Sequence, residues 1–208
     1  MAITYPLTLP TSPKPASMSM FSGAMVGVTE SPYTGEQQVQ AYDGQFWGFE
    51  FSYPSMGRAD FAAFQAFLLK LNGREGTFLA GDPSGLTPQG VATGTPLVNG
   101  AGQTGNDLIT DGWTISTTDI MKAGDYIQLG TGATASLHKV LEDVNSDGSG
   151  NATLSVWPKI TSVTSPANNA AIVVSNCVGV WRLAQNVNPW EVLPPYEHQL
   201  TLKAVQAQ

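Results

Sequence analysis

Two stretches of this sequence have residue types and spacing that bind ligands in other proteins. Gly100-Ala101-Gly102-Gln103-Thr104-Gly105 matches the glycine pattern of a dinucleotide-binding turn, and Asp125 stands twenty residues beyond it. In that motif the glycines let the backbone approach a pyrophosphate, which then meets the N-terminus of a following helix. Here Asn106-Asp107-Leu108-Ile109-Thr110-Asp111-Gly112 follows, which is too short and turn-rich for a helix. The stretch reads as a flexible glycine loop, and no cofactor is expected. The second stretch is Asp143-Val144-Asn145-Ser146-Asp147-Gly148, the first half of a calcium loop. Oxygen ligands at alternate residues and a turning glycine suit a hard cation. The twelfth position, where a bidentate Glu belongs, is Leu154, and the flanks read as strands rather than helices. A polar hairpin connection is expected and no metal site; Asp143, Asn145 and Asp147 are the side chains a cation would find there.

Nucleophilic chemistry finds little to work with. There is no Gly-x-Ser-x-Gly elbow, no phosphate loop and no His-Glu-x-x-His helix. His138 falls in a strand pattern and His198 follows Pro194-Pro195-Tyr196-Glu197 in a loop; both read as packed or surface histidines. The single Cys177 excludes an intrachain disulfide and any multi-Cys metal site, and reads as a small core residue. Asp107, Asp111 and Asp119 lie in turns, where Asp bonds its own backbone. No catalytic residue is assigned and no enzyme is expected. Of the five tryptophans, Trp47, Trp157 and Trp181 fall in strand patterns and read as core. Trp113 and Trp190 lie in loop-like surroundings and are the candidates for a contact surface, of the kind on which sugars stack.

Composition narrows the partners. The chain has 208 residues, with 9 Lys+Arg against 16 Asp+Glu, a net charge of −7. Nucleic-acid binding needs clustered cations, so that class is disfavoured. Gly and Pro are abundant, at 22 and 14, while 42% of residues are hydrophobic, enough for a real core. The N-terminus lacks the basic and apolar regions of a signal peptide, and no apolar run is long enough to span a membrane. Assembly in cytoplasm is therefore expected.

The elements that would position these residues are mostly strands. Residues 1–22 carry Pro6, Pro10, Pro13 and Pro15 and read as an extended arm that orders against a neighbour. In Gln45–Tyr53, Trp47, Phe49, Phe51 and Tyr53 alternate with smaller residues, placing four aromatics on one face. Asp43-Gly44 reads as a turn joining this strand to a partner at Val39–Tyr42. One helix is expected at about 58–72, with Phe61, Phe64, Phe67, Leu68 and Leu71 as its apolar stripe and Asn72-Gly73 as its stop. Thr77–Ala80, Asp125–Leu129, Leu137–Leu141, Thr153–Trp157, Ile172–Val174, Val178–Leu183 and Gln199–Val205 read as further strands. Residues 84–112 are dominated by Gly, Thr, Asn and Pro. The expected architecture is mainly β. A sandwich or barrel with one packed helix spans 23–90 and 177–208. A second small β unit at 91–176 is inserted into it.

The combination resembles a known family. The residues are Phe46-Trp47-Gly48-Phe49-Glu50-Phe51-Ser52-Tyr53-Pro54, the helix around Phe61–Leu68, Leu71-Asn72-Gly73-Arg74-Glu75-Gly76-Thr77-Phe78, and Gly81-Asp82-Pro83. Gly124-Asp125-Tyr126-Ile127-Gln128-Leu129-Gly130 and Gly179-Val180-Trp181-Arg182-Leu183 complete the set. Together they look like the distal tail proteins, or similar tail-tip ring components, of long-tailed non-contractile bacteriophages (siphophages). The resemblance runs from about residue 40 to 183 on structural rather than catalytic motifs. It implies a tail-tube-like β domain that forms a ring, commonly hexameric, in the virion tail tip. That ring joins the tail tube protein on one face to the tip or baseplate hub protein on the other. DNA passes through its lumen without specific binding. The other function the residues suggest is a carbohydrate-binding β module in host recognition.

Overall fold

The alternation of large aromatics in residues 45–53 builds the larger of two cores. The computed structural model describes residues 3–207, so the extreme ends of the expected arm and of the C-terminal segment lie outside the described residues. Strand β3 (Gln37–Ser52) carries Trp47, Phe49 and Phe51 on one face, and Tyr53 follows; all four are buried. Helix α1 (Arg58–Leu71) lays Phe61, Phe64, Phe67, Leu68 and Leu71 onto that face. Burying each such side chain stabilises the fold by roughly 1.5–3 kcal/mol, so this layer dominates the unit. Asn72 and Gly73 take left-handed backbone (φ 50° and 65°) and end the helix as expected.

The first sheet has seven strands. Along its main path lie β1 (Leu7–Thr8), β4 (Thr77–Ala80), β11 (Gly179–Leu183), β13 (Glu197–Gln206), β3 and β2 (Ser17–Glu30), in that order. β12 (Trp190–Leu193) pairs with the start of β13. β1 pairs parallel to β4, and the other contacts in this sheet are antiparallel.

The second sheet is drawn from the chain between β4 and β11. Its order is β10 (Ile172–Val173), β7 (Tyr126–Leu129), β8 (Ser136–Val140), β9 (Ala152–Ile160), β6 (Gly105–Trp113) and β5 (Gly94–Val98). The Val98 N–H donates to the Ala170 carbonyl, and Leu97 bridges to Ala171, so the two ends of the sheet nearly close into a barrel. Its interior holds Val98, Leu108, Ile127, Leu129, Leu154 and Val156, among others, all buried. The protein is therefore mainly β, with one α-helix and two sheets among the described residues, one sheet being nearly a barrel.

Three local expectations change. Asp43-Gly44 is not a hairpin turn. β3 runs straight through it, because residues on both sides pair with β2: Ala24 opposes Gln45 and Val26 opposes Ala41. The two extra residues on β3 form a bulge. Residues 17–22 are paired strand rather than an unpaired arm, since Ser-Met-Ser-Met alternation puts Met18 and Met20 on the core side against Phe51 and Phe49. Finally, the Gly/Thr-rich stretch contains β5 and β6, which the sparse buried residues Pro96, Val98 and Leu108, with the buried Thr110, anchor inside the barrel.

Candidate assembly surface

Most of the residues singled out by chemistry turn out to hold the fold together. The Gly100–Gly105 loop is the turn of the β5–β6 hairpin, and a strand follows it, not a helix. The Gln103 side chain staples the loop, donating to the carbonyls of Asn99, Gly100 and Ile109 and accepting from the Ile109 N–H at 2.7 Å. Asp125 accepts from the backbone N–H groups of Gln89, Gly90 and Lys122 at 2.7–3.0 Å, and so ties a crossing strap to β7.

The half calcium loop is spent in the same way. Asp143 accepts from the Ala123 N–H and Asn145 from the Asp119 N–H, at 2.9 and 2.8 Å. Asp147 accepts from the backbone N–H groups of Ser149 and Asn151 and from the Asn151 amide, and these bonds hold its carboxyl below the usual range. The three oxygens face neighbouring backbone rather than a common centre, and among the described residues no three His, Cys, Asp or Glu side chains converge on a metal position.

His138 is buried between β8 and β9, and Cys177 is buried with its thiol pushed up to about 11 by desolvation. His198 stacks flat on Phe61, ring centroids 4.3 Å apart. Trp113 is not a contact residue. It is 3% exposed, inside the barrel, and its Nε1 donates to Thr110 Oγ1 at 2.8 Å. It sits at the end of β6, where strand alternation turns it inward, and the Gly-rich surroundings hide that in the sequence. Trp190 lies in β12 rather than a loop; it is 38% exposed and leans on Phe61 at 5.8 Å.

The seam between the two sheets is apolar where Trp47 packs on Trp157 and Tyr126, and polar beside it. A cavity of about 290 Å³ there is lined by Asp82, Gln89, Asp125, Tyr126 and Lys139, among others. The Tyr126 hydroxyl donates to Asp82 at 3.0 Å, and Lys139 donates to Tyr126 at 3.3 Å. Burial pushes the Asp82 carboxyl up, but bonds from Ser84 and Tyr126 and the nearby Lys139 charge outweigh it and hold it low. Burial, with the Asp82 charge beside it, raises Tyr126 well above a free phenol. These groups complete one another across the joint.

What remains unsatisfied is a surface. β2 and β3 form a hairpin whose outer part leaves the core, and from Ala24 to Asp43 every residue is exposed except the half-buried Ser31. Met18, Met20 and Ser22 oppose Phe51, Phe49 and Trp47 on the core side; beyond the bulge the opposed pairs are Val26–Ala41 and Val28–Val39. Val26, Val28 and Val39 are 51%, 58% and 63% exposed. Sheet pairing puts each opposed pair on one face, so the hairpin carries an apolar stripe with nothing over it. β2 is also the outer strand of its sheet, with no charged residue before Glu30 and no proline. An edge of that length normally carries charges, a proline or a cover, because its free N–H and C=O groups template pairing with another chain. The sequence signal was present in the run without a charge between Lys14 and Glu30. The prolines of residues 1–22 hide only the first part of that strand, Ser17–Ser22.

Compared with known proteins, the chain matches no family model and no curated protein.

Proposed function

We propose that the chain is a structural tail protein of a long-tailed, non-contractile bacteriophage, which assembles with copies of itself into a ring at the tail tip. The observation that carries this reading is the β2–β3 hairpin: a long uncharged edge strand running into an exposed apolar stripe. The sheet ends in β2 on one side and in the two-residue β1 on the other, with β12 a further short outer strand. Two different surfaces on one subunit favour head-to-tail contacts, and such contacts close into rings when the rotation permits. Six copies is the number the family resemblance suggests. One ring face then meets the tail tube protein and the other the tip hub.

The net charge supports the channel role. Each copy contributes −7, and a ring of like-charged subunits repels phosphate, so DNA traverses the lumen without being held. No catalytic residue, metal or cofactor enters this function. Sedimentation velocity over a wide concentration range, with electron microscopy of the particles, tests it. A closed ring is expected; a monodisperse monomer at high concentration, and no such protein at the tail tip of intact virions, overturns the reading.

A further inference from the structure

We infer that the barrel braces the protruding hairpin and sets the angle at which it leaves the core. The hairpin has a weak point at the β3 bulge. There Tyr42, Asp43 and Gly44 interrupt the pairing between Ala24–Gln45 and Val26–Ala41. A Cβ on Gly44 at the bend would lie 2.7 Å from Met25 Sδ, so the exposed Met25 side chain would have to swing aside to admit one. A bulge bends and twists a strand but does not by itself hold one angle.

The barrel grips the chain at that bulge. β9 is the barrel strand packed against β3. The Lys159 N–H donates to Gln45 Oε1 at 2.8 Å, and the Lys159 ammonium pairs with Asp43. Two residues along each strand, Trp157 stands edge-on to Trp47 at 4.3 Å. Asp43, Gln45 and Trp47 thus span the bulge from its free side to the core, and each meets β9. Beyond Asp43 the hairpin stands exposed, so the Lys159 contacts are its last foothold.

Small angles matter because the arm is long. From Ala24 to Glu30 it runs about 20 Å at about 3.3 Å per residue, so a change of about 10° moves its far end by about 3–4 Å. At Val28 and its partner Val39, about 13 Å out, the shift is about 2 Å, and at Val26 about 1 Å, enough to misalign the stripe. In this role Lys159, Asp43 and Gln45 are positioning residues for assembly, and the role in assembly rests on the ring reading; the brace itself does not.

The test is a distance measurement on the full chain. Nitroxide labels at Tyr33→Cys, on the exposed turn of the hairpin, and Leu141→Cys, on the barrel, report the hairpin angle by pulsed electron resonance; Cys177 is buried. A single narrow distance is expected, and it should broaden or shift in Lys159→Met and in Asp43→Asn. Circular dichroism and the melting temperature check that both variants remain folded. An unchanged distribution in both folded variants overturns the brace. Sedimentation of the same variants separates the two ideas. A broadened distance in a chain that never assembles keeps the brace and removes the ring. A ring that forms equally well in variants with an altered distance removes the assembly role.

Discussion

His138 makes stability depend on pH in a direction that its burial sets. The ring is 1% exposed. Its Nδ1 lies 2.6 Å from the Pro158 carbonyl, which can only accept, so Nδ1 carries the proton; Nε2 accepts from the Ser136 hydroxyl at 2.8 Å. Both nitrogens are satisfied in the neutral form. Burial lowers the pKa to about 4, against a smaller upward pull from the Pro158 bond. The unfolded chain takes up this proton near pH 6.5 and the folded protein refuses it until about pH 4. Above about pH 7 the group has no effect, and stability falls as pH drops through the interval between those values. The loss is about 2 kcal/mol at pH 5 and approaches about 3 kcal/mol at pH 4. Urea unfolding of wild type and His138→Gln at pH 7 and pH 5 measures it. The variant is less stable at pH 7 but should lose about 2 kcal/mol less than wild type on going to pH 5, which cancels carboxylate effects common to both. Equal losses in the two proteins would refute the buried neutral imidazole.

Other perturbations test the core, the strap and the stripe. Phe64→Ala empties the centre of the helix–sheet layer and should cost about 3–5 kcal/mol, read as a lower urea midpoint. Asp125→Ala leaves three backbone N–H groups without their acceptor and should cost about 2–4 kcal/mol while the helix signal is retained. Trp113→Phe removes the bond to Thr110 and should lower stability by about 1–2 kcal/mol without changing the assembly state. Val28→Asp removes a half-exposed valine from the stripe; in a ring it should weaken each subunit contact by about 1 kcal/mol or more, about fivefold, with the monomer's melting temperature unchanged.

The sequence was most legible where one element decides its own burial. Trp47, Phe49, Phe51 and Tyr53 declare their face by alternation, and Phe61 to Leu71 by helical spacing. β4 and the strands from β7 to β10 are bounded by turn residues and fall close to their expected limits. Legibility fails where a distant partner decides. Asp43-Gly44 has turn chemistry, yet β2 pairs on both sides of it and makes it a bulge. Trp113 looks like a loop residue until β9 and β5 pair with β6 around it. The oxygens of Asp143, Asn145 and Asp147 have ligand spacing, but the backbone N–H groups that claim them lie up to 26 residues away. The exposed stripe was illegible for the opposite reason: valines in a strand read as core, and only the fold shows that nothing covers them.

The neighbouring positions of β4 and β11 also govern how the chain folds. Ala80 and Gly179 face each other across that pair, so the first sheet cannot close until the chain far beyond β4 has been made. Holding the ends of a flexible loop of roughly a hundred residues together is costly in entropy. Once β5 to β10 have formed their barrel, the slack shrinks to about 18 residues of connection, and closure becomes cheaper by about 1–2 kcal/mol. Forming the barrel before the split sheet closes is therefore the order with the smaller loop-closure cost. During synthesis β2, uncharged and unpaired on its outer side, waits through that interval beside β3. The inner side of β3 waits with it, open to wrong partners until β13 pairs there, whereas the outer edge of β2 stays open afterwards.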